Sequence, residues 1–325
     1  MNFDLSPEEA ALQEGIRRLC RGVAPLDRLR SLEGRVDRDL WRALGDAGVF
    51  SLRLPEPEGA GLGAAQAVLV FEELGRAVVP GPLIGSHLSA GLHDGAATGE
   101  RLVGLVDRTT GPMVVDNVRD LDLLVAIDEE GLWAIDPPEV LARRIERPLD
   151  PLATPHVVES LPQGELLAGP DEAARWRLEA AALASALLLG VATEVTDMAV
   201  AYAKERRQFD RPIGSFQAVK HLLADMLVRQ EVARAAVYAA GVHLDGEQAG
   251  EAERAVHGAK LLAAEAAVAN GKSAVQVHGG MGFTWEVDVH LYLKRAVALA
   301  SAFGTPEEHA EALARGLDPT ANSIA

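Results

Sequence analysis

The sequence predicts a mainly α protein with a small central β module, on three observations. Hydrophobic residues make up 48% of the 325 positions but aromatic residues only 4%. Alanine and leucine therefore carry the core, which favours close-packed helices over a β-sandwich. Apolar residues recur at helical spacing before about residue 98 and after about residue 167, while short valine-rich runs fill the interval. The expected division is an N-terminal helical domain over 1–98, a reduced β domain over 99–166 and a four-helix bundle over 167–325.

In chain order, Ser6-Pro7-Glu8-Glu9 starts the first helix: Ser6 caps, Pro7 suits the first helical position and Glu9 can reach back to the cap. Ala11, Leu12, Ile16 and Leu19 share one face, and the helix ends near Gly22. Asp37–Ala47 reads as a second helix closed by Gly48, Leu54–Gly63 as a Gly/Pro loop, Ala64–Arg76 as a third helix and Leu83–Leu92 as a fourth. Between Arg101 and Pro162 the runs LVGLV, MVV, DLLVAI and GLWAI, separated by Asp, Gly and Pro, predict about five strands. From Asp171 helix returns, with a long hairpin to about Leu244, then Ala249–His278 and Val287–Phe303. A last helix is capped by Thr305-Pro306-Glu307-Glu308. Phe216, Val219, Leu222, Leu223, Met226 and Leu227 predict one buried stripe on the second helix of the hairpin.

The formal charge of −17 argues against nucleic acid or an anionic membrane as partner, since both require a basic face. The single cysteine, Cys20, excludes an internal disulfide framework and a Cys-based zinc site; on a helix face it reads as core. The nine histidines show no His-x-x-x-His pair, which disfavours a metal hydrolase. MNFDLSPEEA has no basic stretch followed by an apolar one, so no signal peptide is expected. The longest apolar run, Ala180–Thr193, is too short to span a bilayer. A soluble cytoplasmic protein is expected.

Two stretches stand apart. Lys204–Val219, KERRQFDRPIGSFQAV, sets Arg206, Arg207 and Arg211 with Phe209 and a Pro-Ile-Gly turn between two apolar helices. Its plain reading is a solvated helical turn. Gln276–Phe283, QVHGGMGF, frees its backbone at three glycines, and its plain reading is a helix C-cap. Together, arginine and exposed glycine amides suit a pyrophosphate.

In the order of its parts and in both stretches, the chain resembles the acyl-CoA dehydrogenases. Tyr202-Ala203-x-Glu205-Arg206-x-Gln208-Phe209 through Pro212-Ile213-Gly214-x-Phe216-Gln217 is similar to that family's most recognisable signature. Gln276-Val277-His278-Gly279-Gly280-x-Gly282-Phe283 is similar to its second, and Glu72-Glu73-Leu74-Gly75-Arg76 to its usual N-terminal helix ending. The resemblance implies FAD shared across a subunit interface. Arg206 would pair with pyrophosphate, and Phe209 and Ile213 would pack on adenine or ribose. Gln217 and the Gln276–Gly280 turn (Gln276, Val277, Gly279, Gly280) would bind the ribose-phosphate portion, with Gln208 and Phe216 among the contacts. For Phe209 a plain core role is the competing reading.

The departures from the family are as informative. Its enzymes take the α-proton of an acyl-CoA thioester with a Glu, commonly in Tyr-Glu-Gly-Thr, whereas this chain has Ala302-Phe303-Gly304-Thr305. Phe303 accepts no proton. Other branches place the base 26 positions before the motif arginine, which here is Ala180; Glu179 is adjacent but about 100° around the helix. Glu179 is thus the one candidate base, against a surface or capping role. The flavin-ring segment Thr-Glu-Pro-x-Ala-Gly-Ser-Asp is replaced by Val106-Asp107-Arg108-Thr109-Thr110-Gly111-Pro112, and the β domain is short. The pattern resembles the truncated subunit of heterotetrameric dehydrogenases that degrade steroid-derived CoA thioesters. It implies an α2β2 complex with a full-length sister subunit, an acyl-CoA substrate bound in the complex, and no catalytic residue in this chain. The alternatives are a self-sufficient homomeric dehydrogenase using Glu179, and an acyl-CoA-binding or structural protein without redox chemistry.

Overall fold

A computed structural model describes residues 5–109, 111–246 and 248–317. The N-terminal helices are α1 (Pro7–Val23), α2 (Leu26–Ser31), α3 (Arg38–Asp46), α4 (Ala64–Arg76) and α5 (Leu83–Leu88). The Ser6 capping box forms as expected: Glu9 N donates to Ser6 Oγ at 3.2 Å and Ser6 N to Glu9 Oε2 at 2.9 Å. α4 has a cap that sequence spacing conceals. Ala64 N and Ala65 N donate to the carboxylate of the distant Asp245 at 2.7 and 2.9 Å. The fourth expected helix stops at Leu88, and α2 lies in what reads as connecting loop.

Among the described residues the β module has seven strands where about five are expected: β1 (Val103–Asp107), β2 (Val114–Asp116), β3 (Leu123–Ile127), β4 (Leu132–Ile135), β5 (Leu141–Arg144), β6 (Pro155–Ser160) and β7 (Glu165–Ala168). They form two sheets, ordered β1-β3-β4-β7 and β2-β6-β5. β1 pairs with β3 in parallel, Val103 opposite Leu123, and the other neighbours are antiparallel. Of the three strands outside the four apolar runs, β5 and β7 are largely exposed edges, LARR and ELLA, without the apolar run that marks a buried strand.

The bundle is α6 (Pro170–Glu205), α7 (Gln217–Leu244), α8 (Ala249–His278) and α9 (Val289–Ala300), with α10 (Pro306–Leu317) against α8. α6 as a whole is long and apolar enough to cross a membrane, but 89% of its most apolar window is buried within the fold, which makes it the core helix. It packs closely on α4 through reciprocal glycines. A Cβ on Gly75 would lie 2.1 Å from Leu187 O, and one on Gly190 2.0 Å from Glu72 O. The glycine of Glu72–Arg76 therefore serves helix packing.

The predicted buried stripe on α7 is only partly buried. Met226 is inside, but Leu227 is 51% exposed and Val228 62%. The buried face continues instead through Gln230, Ala233, Val237, Ala240 and Gly241. Small residues on this face suit close helix packing, as at Gly241, where an added Cβ would lie 2.9 Å from Val68 and 3.0 Å from Ala65 of α4.

Candidate functional site

α6 ends in a two-stranded hairpin, β8 (Arg207–Gln208) and β9 (Arg211–Pro212), with Arg207 opposite Pro212 and Gln208 opposite Arg211. The loop is Phe209-Asp210, both in the left-handed region at φ 51° and 63°. Such two-residue turns normally use Asn or Gly. Phe209 is 86% exposed, so the reading of it as core is overturned. Its ring meets Phe216 edge-on at 6.1 Å, and the Arg211 guanidinium lies 4.1 Å from the Phe216 ring centre. Arg206, Gln208 and Gln217 are exposed, while Ile213 and Phe216 are half-buried. Among the described residues no carboxylate forms an ion pair with Arg206, Arg207 or Arg211.

The second motif closes α8. Gly279 has φ 63°, Gln276, Gly279 and Gly280 are exposed, and a Cβ added at either glycine would meet nothing within 4 Å. The backbone is open to a ligand. Val277 departs from expectation: only 8% exposed, its side chain belongs to the core, so the turn presents Gln276 and the glycine backbone instead. The two motifs come together at one end of the bundle. The rings of Tyr202, on the last turn of α6, and His278, the last residue of α8, stack at 4.2 Å. This pairing of ends is the feature that spacing alone did not reveal.

An exposed arginine without an acidic partner, an exposed aromatic ring and open glycine amides fit the adenosine and pyrophosphate half of a dinucleotide. The flavin-ring half finds no such fit. In the segment replacing that motif, Asp107 accepts from Thr109 N and Oγ1 at 2.9 and 2.6 Å and from Arg177 Nε at 2.6 Å. Those groups are engaged with one another.

The two candidate positions for a base hold an aromatic side chain, Phe303, and a buried, ion-paired carboxylate, Glu179. Phe303 adopts φ 55°, packs its ring against the core, and its carbonyl accepts from His309 Nε2 at 3.0 Å. Glu179 is buried, not at the surface, and is gripped by two arginines. Arg53 donates to both its oxygens at 2.7 and 3.0 Å, and Arg175 Nε donates at 2.9 Å. Burial pushes the Glu179 carboxyl up, but the hydrogen bonds and charge of Arg53, joined by Arg175, outweigh it and hold the pKa below the ordinary value. General bases work best with a pKa near the operating pH, and a carboxylate gripped by two arginines is poorly matched to that task. Arg175 was legible as a partner four residues before Glu179; Arg53, from a distant turn, was not.

Comparison with known proteins agrees with this architecture. The family model described as the N-terminal domain of acyl-CoA dehydrogenase matches residues 6–99, and that of the C-terminal domain matches residues 172–317. The acyl-CoA dehydrogenase IpdE2 of Mycolicibacterium smegmatis is 34% identical over 315 residues, covering 94% of this chain and 97% of that protein. FadE34 of Mycobacterium tuberculosis is 34% identical over 337 residues, covering 92% of this chain but 46% of FadE34. Among solved structures, the Tcur3481-Tcur3483 steroid ACAD G363A variant superposes with a TM-score of 0.85 at 25% identity, covering 97% of this chain and 99% of that one. The ChsE4-ChsE5 complex from Mycobacterium tuberculosis has the same fold, with a TM-score of 0.83 at 24% identity, covering 98% and 99%. With both terminal domains matched and a relative similar along nearly its whole length, the chain belongs to the acyl-CoA dehydrogenase family.

Proposed function

We propose that this chain is the non-catalytic subunit of an FAD-dependent acyl-CoA dehydrogenase, an α2β2 heterotetramer in which a full-length sister subunit carries the flavin-ring site and the base. Bound FAD supplies the acceptor for the β-hydride while a carboxylate takes the α-proton. This chain contributes Arg206 toward the pyrophosphate, and Phe209 and Ile213 toward adenine and ribose. Gln208, Phe216, Gln217, Gln276 and the Gly279–Gly280 backbone complete the contact. Steroid-derived acyl-CoA thioesters are the proposed substrate class.

The observation that carries this reading is Phe209. A bulky residue in the left-handed region costs about 1–2 kcal/mol, and its ring stands 86% in solvent, so within the chain alone it gains only the edge-on contact with Phe216. Strain of this kind concentrates where another molecule repays it. The self-sufficient alternative loses its base with Glu179 clamped by two arginines. Two structures sharing this fold along nearly their full length are named as two-protein assemblies. More than half of FadE34 lies outside the region this chain matches, leaving room in that polypeptide for a second dehydrogenase-like part.

The test is flavin absorbance per chain after gel filtration, alone and with a candidate sister. The lone chain is expected to be colourless and the complex to hold one FAD per pair. In the complex, Arg206→Ala should weaken FAD binding about ten- to hundredfold, the size of a lost charge-assisted contact of about 1.5–3 kcal/mol. A yellow lone chain with one FAD each overturns the proposal. Phe209→Gly should show opposite signs in two assays. The lone chain gains up to about 1 kcal/mol from relief of the backbone, while the complex loses FAD affinity about tenfold through the lost ring contact. A variant that improves the chain without touching flavin retention removes Phe209 from the site.

A further inference from the structure

Each motif is anchored on its own helix by backbone bonds. Arg206 N donates to Tyr202 O at 2.8 Å, and Ile213 N donates to Arg206 O at 2.8 Å, so the hairpin is tied to the last turn of α6 through the residue that bears the Tyr202 ring. On the other side, His278 Nδ1 is 2.8 Å from Ala274 O, which fixes its ring against α8 with a proton on Nδ1. Gly279 follows His278 directly. The two rings then meet face to face, 4.2 Å between centres and 24° between planes. His278 is buried at 6% exposure, and Tyr202 is half-buried.

We propose that the Tyr202–His278 stack is the positioning element that sets Arg206 at the working distance from the Gly279–Gly280 amides. The proposal rests on the reading that these groups hold the pyrophosphate half of FAD. Tyr202 and Arg206 are four residues apart, about 6 Å along a helix, and share a backbone hydrogen bond. A shift of the Tyr202 ring therefore moves the root of the arginine. His278 is one peptide from the glycine turn, so the same contact fixes the other half. A pyrophosphate gripped from two polypeptide segments requires their spacing to hold within about half an ångström. A merely space-filling role would be served equally by a leucine; a positioning role requires two flat rings at van der Waals stacking distance.

The experiment titrates FAD into the flavin-stripped complex with the sister subunit, following flavin fluorescence, with ADP as a second probe. Arg206→Ala serves as the control for the underlying reading. Tyr202→Leu and His278→Leu should each weaken FAD and ADP about three- to tenfold, the size of a lost aromatic pair. Tyr202→Phe, which keeps the ring, should bind within about twofold of the parent. The double Leu variant should lose little more than either single one, because the pair acts as a unit. Should Arg206→Ala weaken FAD while Tyr202→Leu and His278→Leu do not, the positioning role is overturned and the lent site stands. Should Arg206→Ala itself leave FAD and ADP unchanged, both readings fall. If Tyr202→Leu prevents assembly, His278→Leu against His278→Phe decides: retained affinity only with the aromatic ring supports the proposal, and equal affinity overturns it.

Discussion

Arg295→Met is expected to cost about 3–5 kcal/mol of folding stability, the largest single-site loss we foresee. Arg295 lies on α9 and is 8% exposed; its Nε donates to Asp150 Oδ2, and Asp150 is 3% exposed. Its Nη1 donates to Val79 O at 3.3 Å. One side chain thus joins the bundle to the loop before β6 and to the segment after α4. Asp150 does further work there, since its Oδ1 accepts from Leu152 N at 2.9 Å. Taking away the guanidinium leaves a buried carboxylate without its counter-charge, and that penalty dominates the loss of packing. Urea unfolding should show a lowered midpoint with an unchanged slope. The double variant Arg295→Met/Asp150→Leu should recover most of the loss, because the cost comes from the stranded charge rather than from the absent pair. A loss below about 1 kcal/mol would mean that water reaches Asp150 readily, as at exposed ion pairs.

The parts of the fold legible in the sequence were those with local causes. Ser6-Pro7-Glu8-Glu9 and Thr305-Pro306-Glu307-Glu308 both form capping boxes, and Ala64–Arg76 has the predicted ends. What escaped was set by distant partners. The cap of α4 comes from Asp245, the counter-charge of Glu179 comes partly from Arg53, and β5 exists by pairing with β6 despite an exposed LARR sequence. On α7 the periodic leucines misled: Leu222 and Leu223 are only half-buried and Leu227 is exposed, while the buried positions further along are Ala233, Val237, Ala240 and Gly241.

The candidate site divides along the same line. A motif such as Arg206–Gln217 is contiguous, so residue types and a tight turn were readable, as was the departure at Phe303 in its own short segment. Which side chains face outward was not. Val277 follows the exposed Gln276 yet points into the core, as does His278 after it, because both sit on the inward face of the last turn of α8. Phe209 went the other way. An aromatic residue between apolar helices is ordinarily buried, and only the left-handed turn at Phe209-Asp210 carries its ring away from the bundle.

Acidification from pH 7 to pH 4 is expected to remove about 4–6 kcal/mol of stability, carried chiefly by two buried histidines. Burial pushes His87 down to about 4, from an ordinary value of 6.5; its Nδ1 donates to Val49 O at 3.0 Å. Burial likewise pushes His309 down to about 4, assisted by the charge of Lys260, whose Nζ donates to Ala300 O and Gly304 O at 2.8 Å. His309 Nε2 donates to Phe303 O, so its Nδ1 must accept from His257 Nδ1 at 2.7 Å, and a second proton between those nitrogens would break the pair. Around this pair, Glu308 and Glu253 favour protonation while Arg315 opposes it. Because both folded pKa values lie below the unfolded value, the unfolded chain binds more protons between about pH 6.5 and 4. The stabilisation is complete above that window and lost as pH falls through it. His87→Leu separates this linkage from general acid unfolding. At pH 7.5 the variant should be about 1 kcal/mol less stable, since Val49 O loses its donor. At pH 4.5 it should match or exceed the parent, since nothing at that position is left to protonate. Curves of unfolding free energy against pH that cross between these values would assign the acid sensitivity to His87, whereas parallel curves would place it in the carboxylate clamps, with Glu179 the first to examine.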